Sequence, residues 1–279
     1  MSDKKVWFVT GSGRGLGVDL VKSALAAGHL VVATGRDTEA VKKAIGASQN
    51  LLVLQLDVTR VSDAEAAARE AVEKFGRIDV LVNNAGNFYA GYFEDLSREE
   101  LEKQITVNLF GPMNVTRAIL PAMRKQRSGH VITISSMAGL YGIEFGSAYA
   151  ASKFAIEGWM RSLDPEIAPF GIGTTIVNPG FFRTDLLSKK SMLFAAKPLE
   201  DYRSRREQNE KGWSAMAGTQ GGDPKKLANA IVKIAGEAMP PKRFIAGADA
   251  VAAVKGIAAE LLAQNDAFVE LSSSLAIEN

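Results

Sequence analysis

VWFVT-GSGRGLG-VDLVKSAL, residues 6–25, decides the fold. A short apolar run ends in a glycine-rich turn, and an amphipathic helical pattern follows at once. Gly11, Gly15 and Gly17 let the backbone turn tightly and come close to a pyrophosphate. The helix starting near Leu16 would aim its free N–H groups and positive dipole end at that anion. Glycine triplets are common in turns; it is the strand before and the helix after that give this one its meaning.

The same alternation runs along the chain. Further apolar, β-branched runs stand at 30–34, 51–56, 79–83, 130–135, 173–178 and 243–247. Residues at helical spacing fill 16–27, 62–75, 97–127, 149–170 and 224–237. Strands that are apolar on both faces belong in a parallel sheet covered by helices on each side. The prediction is therefore α/β: a single doubly wound, Rossmann-type domain over residues 1–279. A long insertion at about 181–222 would be a substrate lid, since loops of that length in compact domains usually cover or bind something. A helical extension would occupy about 248–279.

Composition narrows the function. Of 279 residues, 33 are Lys or Arg and 31 Asp or Glu, so the net charge of +2 argues for neither nucleic acid nor membrane as partner. The absence of Cys excludes disulfides, thiolate zinc sites and a Cys nucleophile, and two His make a multi-His metal site implausible. No metal is expected. The first apolar run is too short for a secretory signal and no stretch is long enough to span a bilayer, so the chain reads as soluble and cytoplasmic.

The end of the second strand bears on the choice of dinucleotide. An acid there usually bonds the ribose 2′-hydroxyl of NAD. Here the residues are Gly35-Arg36-Asp37, and Arg36 offers a planar fork suited to a 2′-phosphate, with Arg14 within reach of the same side. Asp37 complicates the reading, because one rotamer would bring a carboxylate near the ribose. NADP(H) is expected over NAD(H).

From here the chain resembles the classical short-chain dehydrogenase/reductase family, over about residues 5–247. The family's glycine motif matches Thr10–Gly17, which carries Gly11, Ser12, Gly13, Arg14, Gly15, Leu16 and Gly17. Its adenine-side acid matches Asp57-Val58, and its NNAG is Asn83-Asn84-Ala85-Gly86. Its helix asparagine fits Asn108. Its Ser, Tyr and Lys fit Ser136, Tyr149 and Lys153, and its PG…T is Pro179-Gly180-Phe181-Phe182-Arg183-Thr184. The resemblance implies a seven-stranded parallel sheet in the order 3-2-1-4-5-6-7. It also implies a homodimer or homotetramer joined through the helices at 97–127 and 149–170. The extension after Gly247 is similar to a subgroup likened to 17β-hydroxysteroid dehydrogenases, a name that does not fix the substrate.

The chemistry can be argued from the residues. Tyr149 and Lys153, four apart, share a helix face. A neighbouring ammonium and a nicotinamide charge would lower the phenol's usual value near 10, so that Tyr149 exchanges a proton with a carbonyl or alcohol oxygen. Ser136, at a strand's C-terminal end, would orient that oxygen; Ser135 is its rival, but the thirteen-residue step to Tyr149 favours Ser136. Pro112 has no N–H for the carbonyl of Asn108, leaving it free for a water that would relay protons to Lys153. In the family Lys153 also bonds the ribose. Phe182 (backbone) and Thr184 (hydroxyl) would hold the carboxamide.

The expected substrate is a hydrophobic ketone, aldehyde or secondary alcohol. Phe88, Tyr89, Tyr92 and Phe93 follow NNAG; Phe181, Phe182, Leu186, Leu187, Met192, Leu193 and Phe194 follow PG, with Trp213 and Met216 beyond. The insertion is also basic, with Lys189, Lys190, Lys197, Arg203, Arg205, Arg206 and Lys211; a solvated helix face explains this better than an anionic substrate. A Ser–His–Asp hydrolase is disfavoured, since His29 and His130 precede strands, at the edge away from the expected site. A non-catalytic NADP(H) sensor on the same fold is the main alternative.

Overall fold

The computed structural model describes residues 4–188, 191–196 and 199–277. Lys189, Lys190 and Lys197 of the basic insertion lie outside the described residues. Among the described residues nine strands form: β1 (Val6–Val9), β2 (Leu30–Gly35), β3 (Leu51–Gln55), β4 (Val80–Asn83), β5 (Phe88–Ala90), β6 (Gly129–Ile134), β7 (Ile172–Pro179), β8 (Met192–Phe194) and β9 (Arg243–Ala246). Seven make one parallel sheet in the order β3-β2-β1-β4-β6-β7-β9, and β5 pairs with β8 apart from it. Counting only the seven strands of the large sheet, the order is the expected 3-2-1-4-5-6-7.

Alternation along each strand sorts the core into two layers. Trp7 and Val9 of β1 face one side, against Leu20 and Ala24 of α1 (Gly15–Ala26) and Ile231 of α8 (Pro224–Gly236). Val6 and Phe8 face the other. There they join Ala67 of α3 (Val61–Phe75), Ile119 of α5 (Gly111–Gln126) and Met160 of α6 (Ser147–Ile167). The chain passes to β2 on one side of β1 and to β4 on the other, so a crevice opens between the C-terminal ends of β1 and β4, where such sheets bind ligands.

Three features depart from the sequence reading. A short helix, α2 (Thr38–Ile45), follows β2; its one buried residue, Val41, gives too little periodicity to detect. The continuous helix expected at 97–127 is α4 (Arg98–Ile105), a π-type turn (Thr106–Phe110) and α5. In that turn the Gly111 N–H bonds the Thr106 carbonyl, one residue wider than an α-helix. Pro112 cannot donate, and a side chain at Gly111 would come within 2.7 Å of Val58. The 181–222 segment, read as a loop, contains β8 and α7 (Arg203–Met216). Both its ends meet in a bridge between Phe182 and Gly222. After β9, α9 (Ala248–Asp266) and α10 (Val269–Ser273) form the extension. No described helix is long and apolar enough to cross a membrane.

Candidate active site

The glycine loop is held by the segment after β4. The Thr10 hydroxyl accepts the Asn84 and Ala85 N–H groups at 2.9 and 3.0 Å, and Asn84 Nδ2 donates to the Thr10 carbonyl at 2.9 Å. Gly11 has φ +69°, and a Cβ there would lie 2.9 Å from Ala85 Cα. A Cβ on Gly17 would sit 2.1 Å from the Gly11 carbonyl, so this turn closes only without side chains. No side chain of its own caps α1 and no acid stands in its first turn, although Asp185 lies beside Gly15. Gly11, Gly13, Arg14, Gly15, Leu16 and Gly17 all line a cavity of about 1020 Å³. A bare glycine cradle at a helix start, opening on a long cavity, is what a dinucleotide's pyrophosphate needs.

Two expected contacts turn inward. Ser12 is fully buried: its N–H bonds the Thr34 carbonyl at 2.8 Å and its hydroxyl the Val9 carbonyl at 3.0 Å. Asn83 Nδ2 bonds the Thr116 and Thr133 hydroxyls at 2.9 and 3.3 Å. Their side chains brace the loop ends rather than forming the cavity wall; Asn84 takes that place beside Ala85 and Gly86.

Arg36 lies exposed at the cavity rim, near Asp57 and Val58. The Asp37 carboxylate caps α2, accepting the N–H groups of Glu39 and Ala40, both at 3.0 Å. Both bonds fall on Oδ1, and Asp37 also lines the cavity. Burial alone would raise the Asp57 carboxyl, but bonds from the Thr59 hydroxyl and N–H and the charges of Arg36 and Arg60 hold it below its usual range.

At the far end, α6 carries Tyr149 and Lys153 on one buried face. The Ser136 hydroxyl hydrogen-bonds the Tyr149 phenol and accepts the Ala138 N–H at 3.1 Å. Ser135 also reaches the cavity wall, but its hydroxyl is buried with no partner among the described residues. Lys153 Nζ lies 5.6 Å from the Tyr149 ring centre and donates to the Ile134 carbonyl at 2.9 Å. The expected lowering of the phenol is not a property of the chain alone. Burial pushes Tyr149 up to about 12, with the Ser136 bond opposing. Burial pushes Lys153 down to about 8, with Glu157 opposing.

Asn108 sits in the π-type turn, away from the cavity wall. Its Oδ1 accepts the Asn87 N–H, its Nδ2 donates to the Asn87 carbonyl, both at 3.0 Å, and Nδ2 also meets the Ser152 hydroxyl at 3.2 Å. The side chain thus clips the post-β4 segment to α6. Past β7, Pro179, Gly180, Phe182 and Thr184 line the cavity. The Thr184 hydroxyl accepts the Leu186 N–H at 3.3 Å, and Asp249 accepts the Phe181 N–H at 2.7 Å. Asp249, Ala250 and Ala253 of α9 also reach the cavity, a contact no motif announced.

The apolar wall contains Phe88, Tyr89, Phe181, Leu186, Leu187, Leu193 and Trp213, as expected, with Tyr141 and Ile143 added. Tyr92, Phe93, Met192, Phe194 and Met216 are not in it. Tyr92 instead stacks on Tyr202 at 4.6 Å, and Phe93 is exposed. Two basic side chains of α7 hold the segment down: Arg206 pairs with fully buried Asp95 at 3.1 Å and Arg205 pairs with Glu144.

A family model for short chain dehydrogenases matches residues 5–192. The chain belongs to this family. It is 36% identical to oxidoreductase BOA17 of Botryotinia fuckeliana, over 94% of this chain and 95% of that protein. It is 35% identical to a Bacteroides thetaiotaomicron protein named 3-ketodihydrosphingosine reductase, over 87% and 88%. A solved short-chain dehydrogenase from Streptomyces avermitilis superposes with a TM-score of 0.87 at 35% identity, covering 99% of this chain and 100% of that one. Among family structures with cofactor, ElxO with NADP bound has a TM-score of 0.71 at 26% identity, covering 87% and 96%. A Burkholderia phymatum member in complex with NAD shares the fold, with a TM-score of 0.80 at 21% identity over 97% and 96%. Family membership makes the protein an oxidoreductase with an NAD(P)-binding fold.

Proposed function

We propose that the protein is an NADP(H)-dependent carbonyl reductase or alcohol dehydrogenase acting on hydrophobic ketones, aldehydes or secondary alcohols. One observation carries the reading. A single cavity runs from Arg36, past the glycine cradle, to the hydrogen-bonded Ser136–Tyr149 pair, where its wall becomes aromatic and aliphatic. Arg14 and Arg36 would hold a 2′-phosphate, and the loop from Gly11 to Gly17 the pyrophosphate. Asp57 and Val58 would meet the adenine; the segment through Ala85 and Gly86, and that from Pro179 to Thr184, would flank the rest. When bound, the cofactor supplies or accepts the hydride.

The chain's own residues do the remainder. The Ser136 hydroxyl orients the substrate oxygen. Tyr149, held protonated by burial, stands ready to give its proton to that oxygen as the carbonyl is reduced. Lys153 keeps a positive charge beneath the ring, opposing the cost of the phenolate left behind. Asn108 contributes by fixing the backbone opposite Lys153, the support for proton return that this reading assigns it. Segment 181–222 acts as the lid. The relative named 3-ketodihydrosphingosine reductase carries a ketone in its name, which agrees with the apolar wall.

The reading extends to a cytoplasmic setting, in keeping with the cysteine-free composition, and to a homodimer or homotetramer. Phe110 and Phe154, exposed at the start of α5 and on α6, would suit such contacts. The 17β-hydroxysteroid-dehydrogenase-like subgroup remains part of the proposal without fixing a substrate. Oxidation of NADPH and NADH, followed with ketones of increasing size, tests the whole. Turnover with apolar ketones and NADPH is expected; cofactor binding without turnover of any carbonyl would make the protein a sensor instead.

A further inference from the structure

Behind the Ser136–Tyr149 pair lies a buried polar ring that the proposed chemistry does not use. Asn178, at the end of β7, is fully buried and spends every polar atom of its side chain. Nδ2 donates to the Ser136 carbonyl at 2.9 Å and to Glu157 Oε1 at 2.7 Å, while Oδ1 accepts Arg243 Nη1 at 2.9 Å. Arg243 Nη2 closes the ring on Glu157 Oε2 at 2.6 Å. Glu157 stands four residues after Lys153 and eight after Tyr149, on the same buried face of α6. The ring therefore ties together β7, β9, α6 and the turn after β6.

We propose that Glu157, Asn178 and Arg243 are positioning residues: Asn178 fixes the backbone of Ser136, and the Glu157 carboxylate, shared with Arg243, supplies the counter-charge of Lys153. A buried carboxylate is retained where its partners use both oxygens, and here one oxygen serves placement and the other meets a cation. Lys153 is also faced by the Tyr149 ring on α6 and by the Ile134 carbonyl at the end of β6, neither of them charged. Among the described residues, Glu157 is the charge that acts on it, with Arg243 of β9 behind. Removing the carboxylate's charge should make Lys153 lose its proton at lower pH; removing Arg243 should uncover the carboxylate and do the reverse.

The proposal rests on Ser136, Tyr149 and Lys153 being the reacting groups, so its test separates the two. Side-chain NMR of Lys153 in the full chain gives its titration midpoint without any substrate. Glu157→Gln should lower that midpoint and Arg243→Met raise it, each by at least roughly half a pH unit, the lower end for a nearby opposite charge. The alkaline limb of kcat/KM should move the same ways. Asn178→Ala should leave the midpoint in place but reduce kcat by about 10²-fold with little change in KM, the cost of misplacing a reacting group. Arg243→Lys, which keeps the charge, should restore the wild-type midpoint. If the single variants do not fold, Glu157→Gln with Arg243→Gln removes both charges of the ring together and should still lower the midpoint. Midpoints that stay put, or shift alike in the two charge variants, overturn the proposal. Full activity in Tyr149→Phe would instead overturn the assignment of the reacting groups.

Discussion

Replacing Arg36 with Ala tests the cofactor reading most directly. Arg36 follows the end of β2 at the cavity rim, with Asp57 near enough for the two charges to act on each other. A charge-assisted bond to a 2′-phosphate contributes about 1.5–3 kcal/mol. Exposure and the neighbouring carboxylate both weaken it, so the lower part of that range applies, about 1.5–2 kcal/mol. NADPH should then bind about 10–30-fold more weakly, whereas NADH, with no phosphate to lose, should change by less than about twofold. Fluorescence titration of both cofactors measures the ratio, which should shrink in the wild type as salt rises. Asp37→Ala is the informative companion. Because that carboxylate caps α2, its loss should cost about 1 kcal/mol of stability and leave NADH binding unchanged. Equal weakening of both cofactors by Arg36→Ala, or selective loss of NADH in Asp37→Ala, would refute the reasoning.

Tyr149→Phe should lower turnover by roughly 10²–10⁴-fold with cofactor affinity nearly unchanged, in steady-state assays paired with cofactor titration. Along a series of lengthening alkyl ketones, each buried methylene should add about 0.8 kcal/mol, raising kcat/KM until the apolar wall is filled; a flat series would count against that wall as the substrate site. Stability should also depend on His130, whose imidazole burial holds down to about 4 with Lys5 and Lys242 adding to the effect. A base depressed on folding stabilises fully above its free value near 6.5, and the contribution is lost as pH falls through that window toward about 4. Urea unfolding at stepped pH should register a loss of up to roughly 3 kcal/mol, diminished in His130→Gln.

Much of this was legible because it is local. The glycine loop, the i, i+4 spacing of Tyr149 and Lys153, and the β-branched runs each depend on neighbours within a few residues. What escaped was non-local or compensated. α2 shows a single buried side chain, so its existence rests on the Asp37 cap. Ser12 and Asn83 sit inside recognisable motifs, yet the Ser12 hydroxyl answers to the Val9 carbonyl and the Asn83 amide to Thr116 on α5 and Thr133 on β6. The lowered phenol is argued from the charges of Lys153 and the nicotinamide, whereas within the chain burial dominates both Tyr149 and Lys153. Asp249 reaches the cavity only because α9 starts where β9 ends, which no spacing announces.

The lid leaves the domain and returns to it at one point. The Arg183 N–H bonds the Gly222 carbonyl at 2.9 Å and the Gly222 N–H bonds the Phe181 carbonyl at 3.0 Å. The chain between those residues has its ends already joined, so its length adds little to the entropy of closing it. The insertion is thus a modular cassette. A lid taken from a relative and spliced at Arg183 and Gln220 would keep the seven-strand register and the proton-transfer residues, while exchanging Leu186, Leu187, Leu193 and Trp213 together. Under the proposed function, substrate range would move with that block, provided the grafted strand still pairs with Phe88–Ala90 and the grafted helix still meets Asp95 and Glu144.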